Sequence, residues 1–187
     1  MATTAEPVPP SDAADEIEAA WQRERPGTST ESIGIVTRVW QLAKLFGEDR
    51  RRILHEAGVD SATLDLLSVL RRSGPPYSLT TRELARSTLV TAGAISQRVA
   101  RAERQQLVER RSEPVGRSVY VTLTPAGHAL VEQTVDRVLE RELELVSGLG
   151  DAQRAELASL LRSLLAVVQD CCGDHRVSHV GASAPEL

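Results

Sequence analysis

The chain has 187 residues, 41% hydrophobic but only 3% aromatic, so its core must be built from Leu, Val, Ile and Ala, a composition that favours helices. Its two cysteines, Cys171 and Cys172, are neighbours and cannot staple distant parts of a fold, which excludes a disulfide framework. No apolar run is long enough to span a bilayer, and no basic patch followed by an apolar stretch opens the chain, so the expectation is a cytoplasmic protein with no membrane partner.

Residues 1–10 end in Pro-Val-Pro-Pro and read as a disordered N-terminus. A first helix is expected over about Ser11–Arg25, with Ile17, Ala20 and Trp21 at helical spacing, stopping before Pro26-Gly27. Thr28 and Glu31 have the spacing of a capping box for a long second helix, with Ile33, Val36, Val39, Trp40, Ala43 and Phe46 on one side. Gly58 ends it. Asp60 or Ser61 caps a third helix containing Leu64, Leu67 and Leu70, which Gly74-Pro75-Pro76 closes. Two short helices follow, about Thr81–Ser87 and Thr91–Gln105, and then two strands, Val108–Ser112 and Ser118–Leu123, joined by a turn at Glu113-Pro114-Val115-Gly116. Thr124-Pro125 starts a sixth helix running to about Val146. After the break at Gly148-Leu149-Gly150, a seventh spans about Asp151–Cys172 with a stripe of Leu157, Leu160, Leu161, Leu164 and Val168. The organisation is therefore N-terminal helices over 11–57, a central region over 58–124, C-terminal helices over 125–172 and a flexible tail over 173–187. The fold class is mainly α with a small β-wing.

Charge is distributed unevenly. The net charge is −4, yet Leu79 to Thr124 holds eight Arg against four Glu, a local excess of four, which leaves −8 on the remainder. A basic surface on an acidic body suits a nucleic-acid face. A helical wheel locates it. Ile95, Val99 and Ala102 cluster on the core side of the fifth helix, and Gly93, Gln97, Ala100, Arg101 and Arg104 lie opposite. Small residues permit close approach, an amide reads adenine, and guanidiniums meet guanine or phosphate. Thr91 and Ser96 near the start of this helix, and Arg111 and Arg117 on the hairpin after it, complete the candidate DNA contacts.

Arg-Glu-Leu-Ala at 82–85, Ile-Ser-Gln-Arg-Val at 95–99, Leu-Val-Glu-Arg-Arg at 107–111 and Leu-Thr-Pro-Ala-Gly at 123–127 occur in an order and spacing that resembles the MarR family. The resemblance covers about residues 30–170. It implies a winged helix-turn-helix and an obligate homodimer built through the N- and C-terminal helices. It also implies double-stranded DNA as partner, with the two recognition helices in successive major grooves of a pseudopalindromic operator, most often as a repressor. One departure concerns the wing tip, where Glu113-Pro114-Val115-Gly116-Arg117 retains the family's Arg but lacks its neighbouring Asp.

The extra helix before the core fold is similar to the urate-responsive branch of the family. Four positions match that branch: Trp21, Asp65, Arg98 and Arg110. For a planar anion, an indole can stack, guanidiniums can pair with the charge, and a carboxylate can accept ring N–H groups. Arg98 sits about 60° from the core stripe, off the groove face, where it can turn toward the protein body. A urate-like ligand is the expectation, with another small anion or aromatic acid as the alternative. Cys171, Cys172, Asp174, His175 and His179 suggest a second reading, a redox or metal sensor. A third is a helical interaction protein that does not bind DNA. The chain has neither a phosphate-binding glycine loop nor a nucleophile elbow, so neither an enzyme nor a cofactor is expected.

Overall fold

The computed structural model describes residues 10–88, 90–112 and 118–172. The elements run α1 (Ala13–Glu24), α2 (Ile33–Glu56), α3 (Ser61–Arg72), β1 (Ser78–Thr80), α4 (Thr81–Thr88), α5 (Ala92–Arg104), β2 (Val108–Ser112), β3 (Val119–Leu123), α6 (Pro125–Leu145) and α7 (Asp151–Cys172). Contacts divide the chain into two units between Glu48 and Asp49, inside α2. This is earlier than the boundary at 57/58 read from the sequence, and the reason is local. Ile53 and Leu54 are buried in the core of the second unit, and Asp49, Arg50 and Glu56 are ion-paired to α6. Of the expected loose ends over 1–10 and 173–187, all but residue 10 lie outside the described residues, as does the wing turn with Arg117.

In the first unit, Asp12 caps α1. Its carboxylate accepts from the backbone N–H groups of Ala14 and Asp15, and the Asp15 carboxylate accepts from the N–H of Asp12. Arg38 of α2 then bridges both acids, at 2.8 Å to Asp12 and 2.7 Å to Asp15. The Thr28/Glu31 box does not form, because α2 opens only at Ile33. The residue that matters there is Thr30, which is buried, donates to Glu18 and accepts from Gln22 of α1. Ile17, Trp21, Val36, Val39, Trp40, Leu45 and Phe46 remain exposed.

The second unit is organised round α3. Asp60 caps it by accepting from the Thr63 N–H at 2.9 Å, and Thr63, Leu64, Leu66, Leu67, Val69 and Leu70 are all buried. Burial on more than one side makes it the central helix, packed on α4, α5, α6 and β3. The core continues through Leu84, Ile95, Val99, Ala102, Val121 and Val131. The three core-side residues of the α5 wheel are thus fully buried, as their spacing requires. Strands β1, β3 and β2 form one antiparallel sheet in that order, with Leu79 opposite Val121 and Arg111 opposite Tyr120. Strand β1 is the element the sequence did not announce.

Two junctions fix the ends of α5 and α6. At the end of α5 the Gln106 N–H donates to the Glu103 carbonyl and the Leu107 N–H to that of Ala102, with Gln106 at φ +59°, a left-handed cap normally made by glycine. Thr124 caps α6 by accepting from the Gly127 N–H, while its hydroxyl donates to the Gln106 carbonyl and its own N–H to that of Leu107. A Cβ at Gly127 would lie 2.0 Å from the Leu107 carbonyl oxygen, so glycine is required there for contact between backbones. Helix α7 has no buried residue, and Leu157, Leu160, Leu161, Leu164, Leu165, Val167 and Val168 are exposed along it. Among the described residues no helix is long and apolar enough to cross a membrane.

Candidate nucleic-acid interface and adjoining cavity

Helix α4 begins with a capping box, in which Thr80 and Glu83 exchange hydrogen bonds, and buries Leu84 and Thr88 beneath α5. Thr91 then caps α5, its hydroxyl accepting from the Ala94 N–H at 3.2 Å. This gives the Thr91 side chain a structural task at the exposed start of the helix. Ser96 is exposed and donates to the Ala92 carbonyl one turn back. Gln97 and Arg104 are exposed on α5. Arg111, on β2, pairs with its neighbour Glu109 at 2.9 Å and stays three-quarters exposed.

Two carboxylates of the α3 segment reach one edge of α5. Arg101 meets Asp60 at 3.0 Å, and Arg98 meets Asp65 at 3.4 Å. The second pair is the more enclosed, with 18% and 12% of the side chains exposed. Burial pushes the Asp60 carboxyl up, but the Thr63 N–H, the Thr63 hydroxyl and the Arg101 guanidinium outweigh it and hold the group below its ordinary range.

The Asp65–Arg98 pair stands between two cavities. On one side is a cavity of about 610 Å³ walled by α3, α6, the end of α2 and the end of α4, with Asp65, Arg50, Arg71 and Arg72 among its polar lining and Leu54, Leu64, Val131 and Val135 among its apolar lining. On the other is a smaller one of about 190 Å³, lined by Asp60, Gln97, Arg98 and Arg101. Arg71 is fixed in the wall of the larger cavity by Glu132 at 2.9 Å and by the Tyr77 ring, 5.0 Å from its guanidinium carbon. Of the four positions read as ligand contacts, Asp65 and Arg98 come together. Arg110 is engaged elsewhere, by Glu103 at 3.0 Å, and Trp21 lies half exposed on α1 in the first unit.

Residues 57–118 match the model of the MarR family. That stretch contains α3, α4, α5 and β2, the elements just described.

The chain is similar to the MarR family of winged-helix proteins.

It is 24% identical over 147 residues to the HTH-type transcriptional regulator PecS of Dickeya dadantii (strain 3937), covering 78% of this chain and 89% of PecS. The structure of a cysteine-to-serine mutant of MarR from E. coli complexed with operator DNA is similar at 25% identity and a TM-score of 0.56, covering 74% of this chain and 99% of that one. NadR in complex with 4-hydroxyphenylacetate shares the fold at 24% identity and a TM-score of 0.54, covering 70% of this chain and 91% of that one.

Asp65 apart, sequence reasoning misses the acids that hold the arginines. Asp60 reads from sequence only as a helix cap, and nothing in the local pattern singles out Glu103 or Glu109. Asp60 and Arg101 are 41 positions apart, so no local pattern could have joined them. Cys171 and Cys172 are exposed free thiols at the end of α7. Among the described residues no group of three metal-ligating side chains comes together, and His175 and His179 lie outside them.

Proposed function

We propose that this protein is a MarR-family repressor that binds a pseudopalindromic operator as a homodimer and is released by a small planar anion such as urate. The observation that carries the DNA reading is the solvent-facing side of α5, where Gln97, Arg101 and Arg104 stand together on a helix otherwise anchored by Ile95, Val99 and Ala102. The MarR–operator complex supports a DNA partner for this surface. Helix α7 supports a second copy of the chain as the partner of its Leu and Val residues, since a helix draws most of its stability from packing an apolar face and α7 buries none of its own. The exposed apolar residues of α2 are assigned to the same second copy.

The ligand reading is supported by the 610 Å³ cavity, whose size suits a small molecule and whose wall includes Asp65. Asp65 is also the partner of Arg98 on α5, so a ligand that engages this carboxylate acts on the helix that meets DNA. The expected coupling is about 1–3 kcal/mol.

The decisive experiment measures binding of the purified protein to the DNA upstream of its own coding sequence, with and without urate. Wild type should bind and Arg104→Ala should lose affinity by about tenfold. Tight binding that Arg101→Ala and Arg104→Ala both leave unchanged would remove α5 as the reader. Urate should bind saturably and weaken DNA binding, with the effect lost in Asp65→Ala and Arg98→Ala. Trp21→Ala and Arg110→Ala are included because the urate-type pattern names both. If urate produces neither heat nor release, urate is eliminated as the ligand.

A further inference from the structure

Arg101 is already committed. Its guanidinium is bound to the Asp60 carboxylate at 3.0 Å, and on the helical wheel it lies between the inward-turned Arg98 and the outward Arg104. Asp60 is not a floppy surface acid. Its Oδ1 accepts from the Thr63 N–H and its Oδ2 from the Thr63 hydroxyl, both at 2.9 Å, so the carboxylate is fixed in place by the cap of α3. Its Oδ2 faces Arg101 and, with Gln97, Arg98 and Arg101, it lines the small cavity at the edge of α5. A carboxylate oxygen offers a guanidinium what a DNA phosphate offers it, an anionic acceptor in hydrogen-bond range.

We infer that Asp60 is an affinity-setting residue, an internal competitor that holds Arg101 in the free protein and has to be displaced before the guanidinium can contact DNA. The inference rests on the reading of α5 as the DNA reader. A random duplex offers Arg101 a phosphate in exchange for Asp60, one anionic oxygen for another, with little net gain. An operator with guanine in register offers two acceptors to the same planar fork, and the exchange becomes favourable. Breaking the ion pair costs the same in either mode, so Asp60 lowers operator affinity by the full energy of the pair and random-duplex affinity by no more than that.

The test compares the full-length protein and its Asp60→Asn variant on two probes, the upstream operator fragment and a random duplex of equal length. Asn is as good a helix cap as Asp, so the start of α3 is preserved while the charge is removed. Thermal melting checks this, and Asp60→Ser, whose hydroxyl also caps, serves as a second variant. The variants should bind both probes about two- to fivefold more tightly, the range of an exposed ion pair. The salt dependence on the random duplex should steepen by about 0.9 in log–log slope, one further phosphate neutralised. In an Arg101→Ala background the same substitutions should have no effect. Unchanged or weakened random-duplex binding overturns the inference while leaving α5 as the reader. So does a gain that persists without Arg101, because that gain would be plain charge repulsion. A wild type that binds neither probe removes the DNA reading itself and this inference with it.

Discussion

The Asp65 carboxylate and the Arg98 guanidinium meet at 3.4 Å with little of either side chain exposed, joining α3 to α5 across 33 positions of sequence. Truncating one partner leaves a charge in a site that water reaches poorly. Asp65→Ala or Arg98→Ala should each cost about 1–3 kcal/mol, below the full penalty of a completely buried pair. The double substitution should cost clearly less than the sum. Urea unfolding of the four proteins measures this. Strict additivity would show that the pair contributes nothing as a pair.

Gly127→Ala should be among the most damaging single-methyl additions in the chain. The new Cβ would lie 2.0 Å from the Leu107 carbonyl oxygen, and the obstacle is backbone rather than a movable side chain. A loss of about 1–3 kcal/mol is expected from forcing the two segments apart. A melting temperature equal to wild type would contradict the close approach.

Gln106→Gly should stabilise. Gln106 holds φ +59° at the end of α5 with its side chain exposed, so glycine relieves the left-handed strain without removing a packed group. A gain of about 0.5–1 kcal/mol is expected, the difference between a strained and an unstrained cap. Chemical denaturation with an unchanged m-value would assign the gain to stability alone.

Acid should loosen the contact between the end of α2 and α6. The guanidiniums of Arg52 and Arg141, hydrogen-bonded to Asp49, hold its carboxyl below the ordinary value of 3.8. A carboxyl depressed on folding contributes stability that is complete above its unfolded value and is lost as pH falls through the folded one. The contribution is therefore present above about pH 4 and disappears below it. Asp49→Asn should be less stable than wild type at pH 7, and the gap should close in melts recorded at progressively lower pH below 4. A gap that stays constant down to pH 2 would show that Asp49 does not titrate with folding.

Local rules made most of the fold legible. Thr124-Pro125 announced α6 because a cap and a preset φ act within one turn, and the α5 wheel announced its buried side because only a regular helix puts Ile95, Val99 and Ala102 in register. Strand β1 was not legible: Ser-Leu-Thr is too short to show alternation, and only β3 makes it a strand. The Thr28/Glu31 box had the right letters but lost to a tertiary competitor, since Thr30 turns to Glu18 and the helix waits until Ile33. In the candidate site the arginines were visible by type and spacing. Asp65 was singled out beside Arg98, but Asp60 and Glu103 were not visible as partners, because they become neighbours of those arginines only once α3, α5 and β2 are packed. The apolar stripe of α7 was readable as a stripe, but periodicity cannot say what covers it.

The joint at Gly127 has a mechanical consequence. The main chain of α6 touches that of Leu107, and two hydrogen bonds from Thr124 tie the same spot to the end of α5. With no side chain in between there is no cushion to compress and no rotamer to flip, so the joint behaves as a weld. Tilting α6 must carry the C-terminal end of α5 with it. Freedom for the two to turn independently therefore cannot be stored at this corner, and any hinge that repositions α5 has to lie at its opposite end, near Thr91.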